Sequence, residues 1–180
     1  LGTFESPYFL GEDPAREDPD GRFELDYTTG KSRVRRDTVH FWLSVPKAKP
    51  GRAQPFPVTT WSHGTTLNGA EILLRAGSFA KQGLAMIGID MPGHGLVLTP
   101  GQEQLAEAIF REQCIVPWVN GVASGRAHDL DEDGTRDSGG YIWSAHIFHS
   151  RDNIRQSVVD LVQTTRLLRS FDGKNLSDQD

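Results

Sequence analysis

Apolar and polar positions change rhythm several times along the chain. F-E-L-D-Y (23–27) alternates, as a half-buried strand does. T-V-H-F-W-L-S-V-P (38–46) is β-branched and aromatic, and Pro46 stops it. Turn-forming residues 46–55 follow, and F-P-V-T-T-W-S (56–62) is a third strand. Over 70–82, Ile72, Leu73, Ala76 and Phe79 fall at helical spacing, and Gly83 supplies a C-cap. L-A-M-I-G-I-D (84–90) is continuously apolar, the pattern of a strand buried on both faces of a parallel sheet. Strand, helix and strand over 56–90 make a βαβ unit and an α/β fold. An exposed helix is expected over 101–113, around Leu105, Ala108 and Ile109. The longest helix is expected over 152–169, starting at Ser150 or Asp152. Ile154, Val158, Leu161, Val162, Thr165 and Leu168 share one face, and Arg166 and Arg169 lie near its end. Residues 1–22, rich in Asp, Glu, Pro and Gly, read as an extended arm pinned by Tyr8, Phe9 and Leu10.

Composition narrows the classes. A chain of 180 residues buries roughly 70% of its unfolded surface on folding, enough for one real core. Nineteen basic residues against 24 acidic ones give a net charge of −5. No basic patch stands out to neutralise phosphates, so a nucleic-acid or anionic-membrane partner is not expected. No apolar run approaches the ~20 residues of a membrane span. The chain starts at Leu1 with no apolar leader, so any signal peptide is expected to be gone already. Cys114 is alone and forms no internal disulfide.

Two turns carry the candidate chemistry. The third strand runs into His63-Gly64-Thr65-Thr66, and the buried strand runs into Asp90-Met91-Pro92-Gly93-His94-Gly95. Open α/β sheets place ligand sites at the C-terminal ends of parallel strands. Gly64 lets backbone approach a ligand, and the N–H of Thr65 or Thr66 can face a developing oxyanion. A donor of this kind contributes about 3–4 kcal/mol to a transition state. Taken alone, a His-Gly pair more often simply makes a tight turn.

The two turns together resemble those of the α/β-hydrolase superfamily. R-D-N-I-R-Q-S-V-V-D (151–160) adds to this, being similar to bacterial lipase- and esterase-like hydrolases. These include extracellular lipases with a virulence-factor-lipase type N-terminal region. The resemblance spans about 38–170. It implies a mostly parallel sheet flanked by helices, with an insertion at about 96–150. It also implies Thr65 as the oxyanion residue through its backbone N–H, with His63 and Gly64 shaping that turn. His63 and His94 are then architectural, because the family's general base lies near the C-terminus. The long helix is the one that precedes the nucleophile strand.

That nucleophile is missing. No G-x-S-x-G elbow occurs. In G-V-A-S-G (121–125) Ser124 has the wrong spacing, and Ser62 and Ser138 have no elbow. The expectation is therefore the N-terminal half of a serine carboxylic-ester hydrolase. It is to be completed by a C-terminal half that is a second polypeptide, was cut away, or was left out of this chain. The substrate would be a lipid or ester. A stand-alone module would leave an open sheet edge and an uncovered helix face.

D-L-D-E-D-G-T-R-D (129–137) fits D-x-D-x-D-G-x-x-D. Alternating carboxylates Asp129, Asp131 and Asp133 converge when such a loop curls at Gly134. Thr135 offers its carbonyl, and Asp137 ligates directly or through water. Hard oxygens at this spacing suit a structural Ca²⁺. Position twelve is Gly140 and not Glu, so a single loop is expected and not a helix–loop–helix sensor. The competing reading is a solvated acidic turn. Weak, extracellular-type Ca²⁺ binding tilts localisation toward a secreted or cell-envelope protein. The alternative to an enzyme is thus a non-catalytic, calcium-binding, hydrolase-like module of a cell-surface assembly. Between the second turn and the long helix, Phe110, Ile115–Val119, Tyr141–Trp143, Ile147 and Phe148 read as core or as the wall of an acyl pocket. His146 and His149 read as packing or capping groups.

Overall fold

The computed structural model describes residues 1–11, 21–111, 125–143 and 145–171. Six strands and three α-helices occur among them. The strands are β1 (Gly2–Tyr8), β2 (Leu25–Asp26), β3 (Lys31–Ser32), β4 (Arg35–Ser44), β5 (Val58–Trp61) and β6 (Ala85–Ile89). The helices are α1 (Leu73–Lys81), α2 (Pro100–Arg111) and α3 (Ile147–Ser170). Four strands form one sheet in the order β1-β4-β6-β5, and β2 and β3 form a separate hairpin. The chain divides into two compact units, each taken in turn.

The first unit comprises residues 1–3 and 40–142. In it β5 runs parallel to β6, with Val58 opposite Ala85 and Trp61 opposite Gly88. β4 runs antiparallel to β6, with Phe41 opposite Ile89 and Ser44 opposite Met86. The sheet is therefore mixed, where a mostly parallel one was expected. The connections explain the difference. Residues 45–57 carry no helix, and parallel neighbours need a crossover element. Residues 62–84 carry a 3₁₀ turn (Gly69–Ile72) and α1, which return the chain for a parallel pair.

Every residue of β6 is buried, as its apolar run predicts. A Cβ on Gly88 would lie 2.5 Å from Ile72 Cγ2 and 2.9 Å from the Gly69 carbonyl oxygen. Only glycine lets the 3₁₀ turn approach the strand this closely. Of the residues expected on the helix face, Ile72 is buried but Leu73 is exposed. The 3₁₀ segment rotates the face, so the 3.6-residue spacing does not carry through. α1 ends as expected: Gly83 has φ +82°, with Gly83 N–H on Ala80 O and Leu84 N–H on Phe79 O, a Schellman pair.

The second unit comprises residues 4–39 and 143–180. Residues 1–22 were expected as an arm. Residues 2–8 are instead a sheet strand, Tyr8 and Leu10 are buried, and 12–20 lie outside the described residues. The expected strand 23–27 shrinks to Leu25–Asp26, paired with Lys31–Ser32 and exposed. α3 is where the face assignment fails. Its buried residues are His149, Asp152, Asn153, Gln156, Ser157, Asp160 and Thr164. Ile154, Val158 and Val162, expected to share one apolar face, are exposed.

The cause is a row of polar side chains bonded to nearby chain. Gln156 accepts from the Phe9 amide at 2.9 Å and donates to Pro7 O at 2.9 Å. Asp160 accepts from Ser6 Oγ at 2.6 Å and from Gln156 Nε2 at 3.0 Å. Asp152 accepts from the Phe23 amide at 3.1 Å and pairs with Arg151 and Arg155 at 2.8 and 3.0 Å. Burial raises the pKa of Asp152, but Arg151, the Phe23 amide and Arg155 outweigh it and leave the carboxyl below its usual range. The start of α3 also differs: its N-cap is His146, and no side chain caps it.

Candidate functional site

β5 and β6 are parallel neighbours, so their C-terminal ends lie on the same edge of the sheet and their following turns meet. His63, buried, joins them. Its Nε2 accepts from the Met91 amide at 3.1 Å, and its Nδ1 lies 2.9 Å from Gly64 O. An amide only donates, so Nε2 carries the lone pair and Nδ1 carries the proton that goes to Gly64 O. Both ring nitrogens are engaged by backbone, which suits a turn-building role.

His94 packs against His63, with ring centroids 4.7 Å apart. Its Nδ1 donates to Pro92 O at 3.0 Å. Its Nε2 is buried with no partner among the described residues. Burial, with lesser contributions from the nearby His63 and Arg126, pushes its pKa down to about 4, against a hydrogen bond to Pro92 that works the other way. The imidazole is therefore uncharged at neutral pH.

Asp90, also buried, accepts from the Gly69 amide at 2.6 Å. Burial raises its pKa, opposed by that amide and by electrostatic contributions from the nearby His63, His40 and Arg126. Arg126 donates to the Asp90 carbonyl at 3.0 Å, and its own amide donates to His94 O at 2.8 Å. The second turn is thus clamped by an arginine that the sequence did not single out.

The first turn closes with Leu67 N–H on Gly64 O at 3.1 Å. Thr66, its third residue, has φ 69°. This is the type II pattern, which normally takes Gly at that position. A β-branched residue held there costs about 1–3 kcal/mol. Thr65 is exposed, and no acceptor lies on its amide among the described residues. An exposed, uncommitted N–H beside a glycine at a strand's C-terminal end can stabilise developing negative charge on a bound carbonyl oxygen. Ser138, weighed in the sequence only as a serine without an elbow, and Gly139, not singled out there, lie against this turn. The signal for them was the glycine pair in D-S-G-G, just after the acidic loop.

In the acidic loop, Asp129, Asp131 and Asp137 each place a carboxylate oxygen within 4.8 Å of the others. The Gly134 amide donates to Asp129 Oδ2 at 2.9 Å and curls the loop. Asp129 Oδ1 is buried without a donor among the described residues. Asp133 stands outside this group; its Oδ1 accepts from the Thr135 amide at 2.7 Å. Three acceptor-only groups in one small space suit a hard cation.

Of the apolar residues expected in the insertion, Tyr141 and Ile142 are buried, and Trp143, Ile147 and Phe148 are exposed. Ile115–Val119, Cys114 and Ser124 lie outside the described residues. His149 is buried with Nδ1 2.5 Å from Gly21 O, a structural contact. Among the described residues no helix is long and apolar enough to cross a membrane. Compared with family models, curated proteins and solved structures, the chain finds no match.

Proposed function

We propose that this chain supplies the oxyanion side of a serine carboxylic-ester hydrolase of lipase or esterase type. A second polypeptide would complete its α/β-hydrolase domain and bring the nucleophile, acid and base. The observation that carries this reading is the pair of turns. His63-Gly64-Thr65 and Asp90–Gly95 end neighbouring parallel strands, and the amide of exposed Thr65 has no acceptor among the described residues. In this reading a serine of the second polypeptide attacks the ester carbonyl and the alcohol leaves. The Thr65 N–H holds the tetrahedral oxyanion. Two further features support a partner: β5 is the last strand of its sheet order, and the apolar stripe of α3 is exposed.

Thr65→Pro tests the donor cleanly. Position two of a type II turn accepts proline, so the turn survives while the N–H goes. Turnover of a p-nitrophenyl ester by the protein as isolated, with its completing polypeptide, should fall about 10²–10³-fold. Unchanged turnover sinks the assignment. Intact mass with peptide mapping comes first, since a second species containing G-x-S-x-G is required.

A second reading rests on the acidic loop. A calcium ion held by Asp129, Asp131 and Asp137, with Thr135 and Asp133 joining on a small rearrangement, would make the chain a calcium-binding module of a secreted or cell-envelope assembly. At a hundred times its Kd, calcium should add about 2.7 kcal/mol to folding stability. Asp131→Asn should abolish most of that gain. A thermal midpoint indifferent to calcium and to chelator rejects the site.

A further inference from the structure

Thr66 sits at φ 69°, which its type II turn requires but a β-branched residue does not favour, so contacts beyond the turn bear on how it is held. The neighbour is a strap of two residues. Gly139 lies so close that a Cβ there would be 2.5 Å from Thr66 N, 3.0 Å from Thr66 Cα and 3.1 Å from His94 Nε2. Gly139 itself has φ +82°, and its N–H donates to Gly93 O at 2.8 Å. Ser138 Oγ accepts the Gly95 N–H at 3.2 Å and reaches Leu67 O at 3.5 Å. One strap therefore grips the second turn by two hydrogen bonds. It presses on the first turn at Thr66 and touches its last carbonyl.

We infer that Ser138 and Gly139 are positioning residues for the His63–Thr66 turn. Anchored on Gly93 and Gly95, the strap holds Thr66 left-handed and thereby sets the direction of the adjoining Thr65 amide. Glycine is required at 139 because the two nearest atoms it meets, Thr66 N and Cα, are backbone, which cannot swing aside as a flexible side chain does. The inference rests on the proposed oxyanion role of Thr65 for its catalytic consequence, but not for its structural one.

The test separates the two. Gly139→Ala, in the protein as isolated, should shift the amide resonances of Thr65 and Thr66. It should also lower kcat for a p-nitrophenyl ester about 10–100-fold with KM within about twofold, because a donor displaced by about 1 Å fails in the transition state. Ser138→Ala adds no atoms and serves if the first variant does not fold. It should speed hydrogen exchange at the Gly95 amide, which Ser138 Oγ accepts, about tenfold and lower kcat several-fold. Ser138→Thr, which keeps the hydroxyl, should restore both. Amide resonances and exchange that do not move overturn the strap. Shifted amides with unchanged kcat uphold the strap and overturn the oxyanion reading. Absent wild-type turnover also overturns that reading and leaves the strap to be decided by the resonances alone.

Discussion

All five residues of β6 are buried and none is charged, whereas the fully buried positions of α3 are His, Asp, Asn, Gln, Ser, Asp and Thr. Apolar side chains of α3 point to solvent instead: Ile147 is 76% exposed, Val158 56%, Ile154 55% and Val162 49%. The strand is buried because its side chains leave water. The helix is buried because its side chains satisfy backbone groups of Pro7 in β1 and of Phe9, Gly21 and Phe23 outside the main sheet. A row of hydrogen-bonding groups can out-compete an apolar stripe for the inside when the neighbouring chain offers unpaired amides and carbonyls.

The largest expected effect comes from putting the chemistry of one element into the other. Ile87→Asn in β6 removes an apolar burial of about 1.5–3 kcal/mol and strands an amide at about 1–3 kcal/mol. A loss of about 4 kcal/mol, read by urea unfolding, is expected. A loss under about 1 kcal/mol would mean that β6 is not the core strand it resembles.

Next is Asp160→Ala in α3. It strands Ser6 Oγ and takes one of the two acceptors of Gln156 Nε2, which keeps Pro7 O, in a site from which water is excluded, and should cost about 2–3 kcal/mol. If it proves neutral, the polar row is incidental and the helix is held by something else.

His94 sharpens the comparison, because it is a buried polar group whose Nε2 has no partner among the described residues, unlike Gln156 and Asp160 in α3. Unfolded, it binds a proton near its ordinary value of 6.5; folded, it does so only near about 4. Between these values the unfolded state holds more protons, so stability falls as pH drops from about 6.5 to about 4. The loss attributable to His94 should reach about 2–3 kcal/mol. His94→Gln should flatten that part of the profile, measured by urea midpoints at pH 7, 5.5 and 4.5. An unchanged slope would place the acid sensitivity elsewhere.

How much of this could be read from sequence varies by element. The run 84–90 named its strand and its burial, because a continuous apolar segment has no face to mistake. Gly83 named the end of α1, because a left-handed C′ residue is a local requirement. The long helix was legible as a helix, but its inner face was not. Periodicity finds two faces, and only the surroundings decide which one is inside. The direction of β4 was missed: a mostly parallel sheet was expected, but the helix-free connection 45–57 goes with a β4 antiparallel to β6. Thr66 at positive φ and the Arg126 clamp were out of reach, and the Ser138-Gly139 strap left only its glycine pair as a sign, since its contacts join residues far apart in the chain. The acidic loop lay between these extremes. Its pattern brought Asp129, Asp131 and Asp137 together, while Asp133 turned to the Thr135 amide.

The smallest effect on the chain's own stability is expected at the exposed stripe of α3, and it is the one that bears most on the partner. Val158→Ser with Ile154→Ser removes apolar surface that water already reaches, so folding stability should change by no more than about 0.5 kcal/mol. The same stripe is the face that a completing polypeptide would cover, and there each aliphatic side chain is worth about 1.5–3 kcal/mol of burial. The double variant should therefore fold normally and lose affinity for that polypeptide by at least tenfold in a pull-down titration. If it instead unfolds the chain, the stripe is already covered within the molecule. If folding and association are both unchanged, the completing half docks elsewhere. The open edge at β5 is then left as its point of attachment.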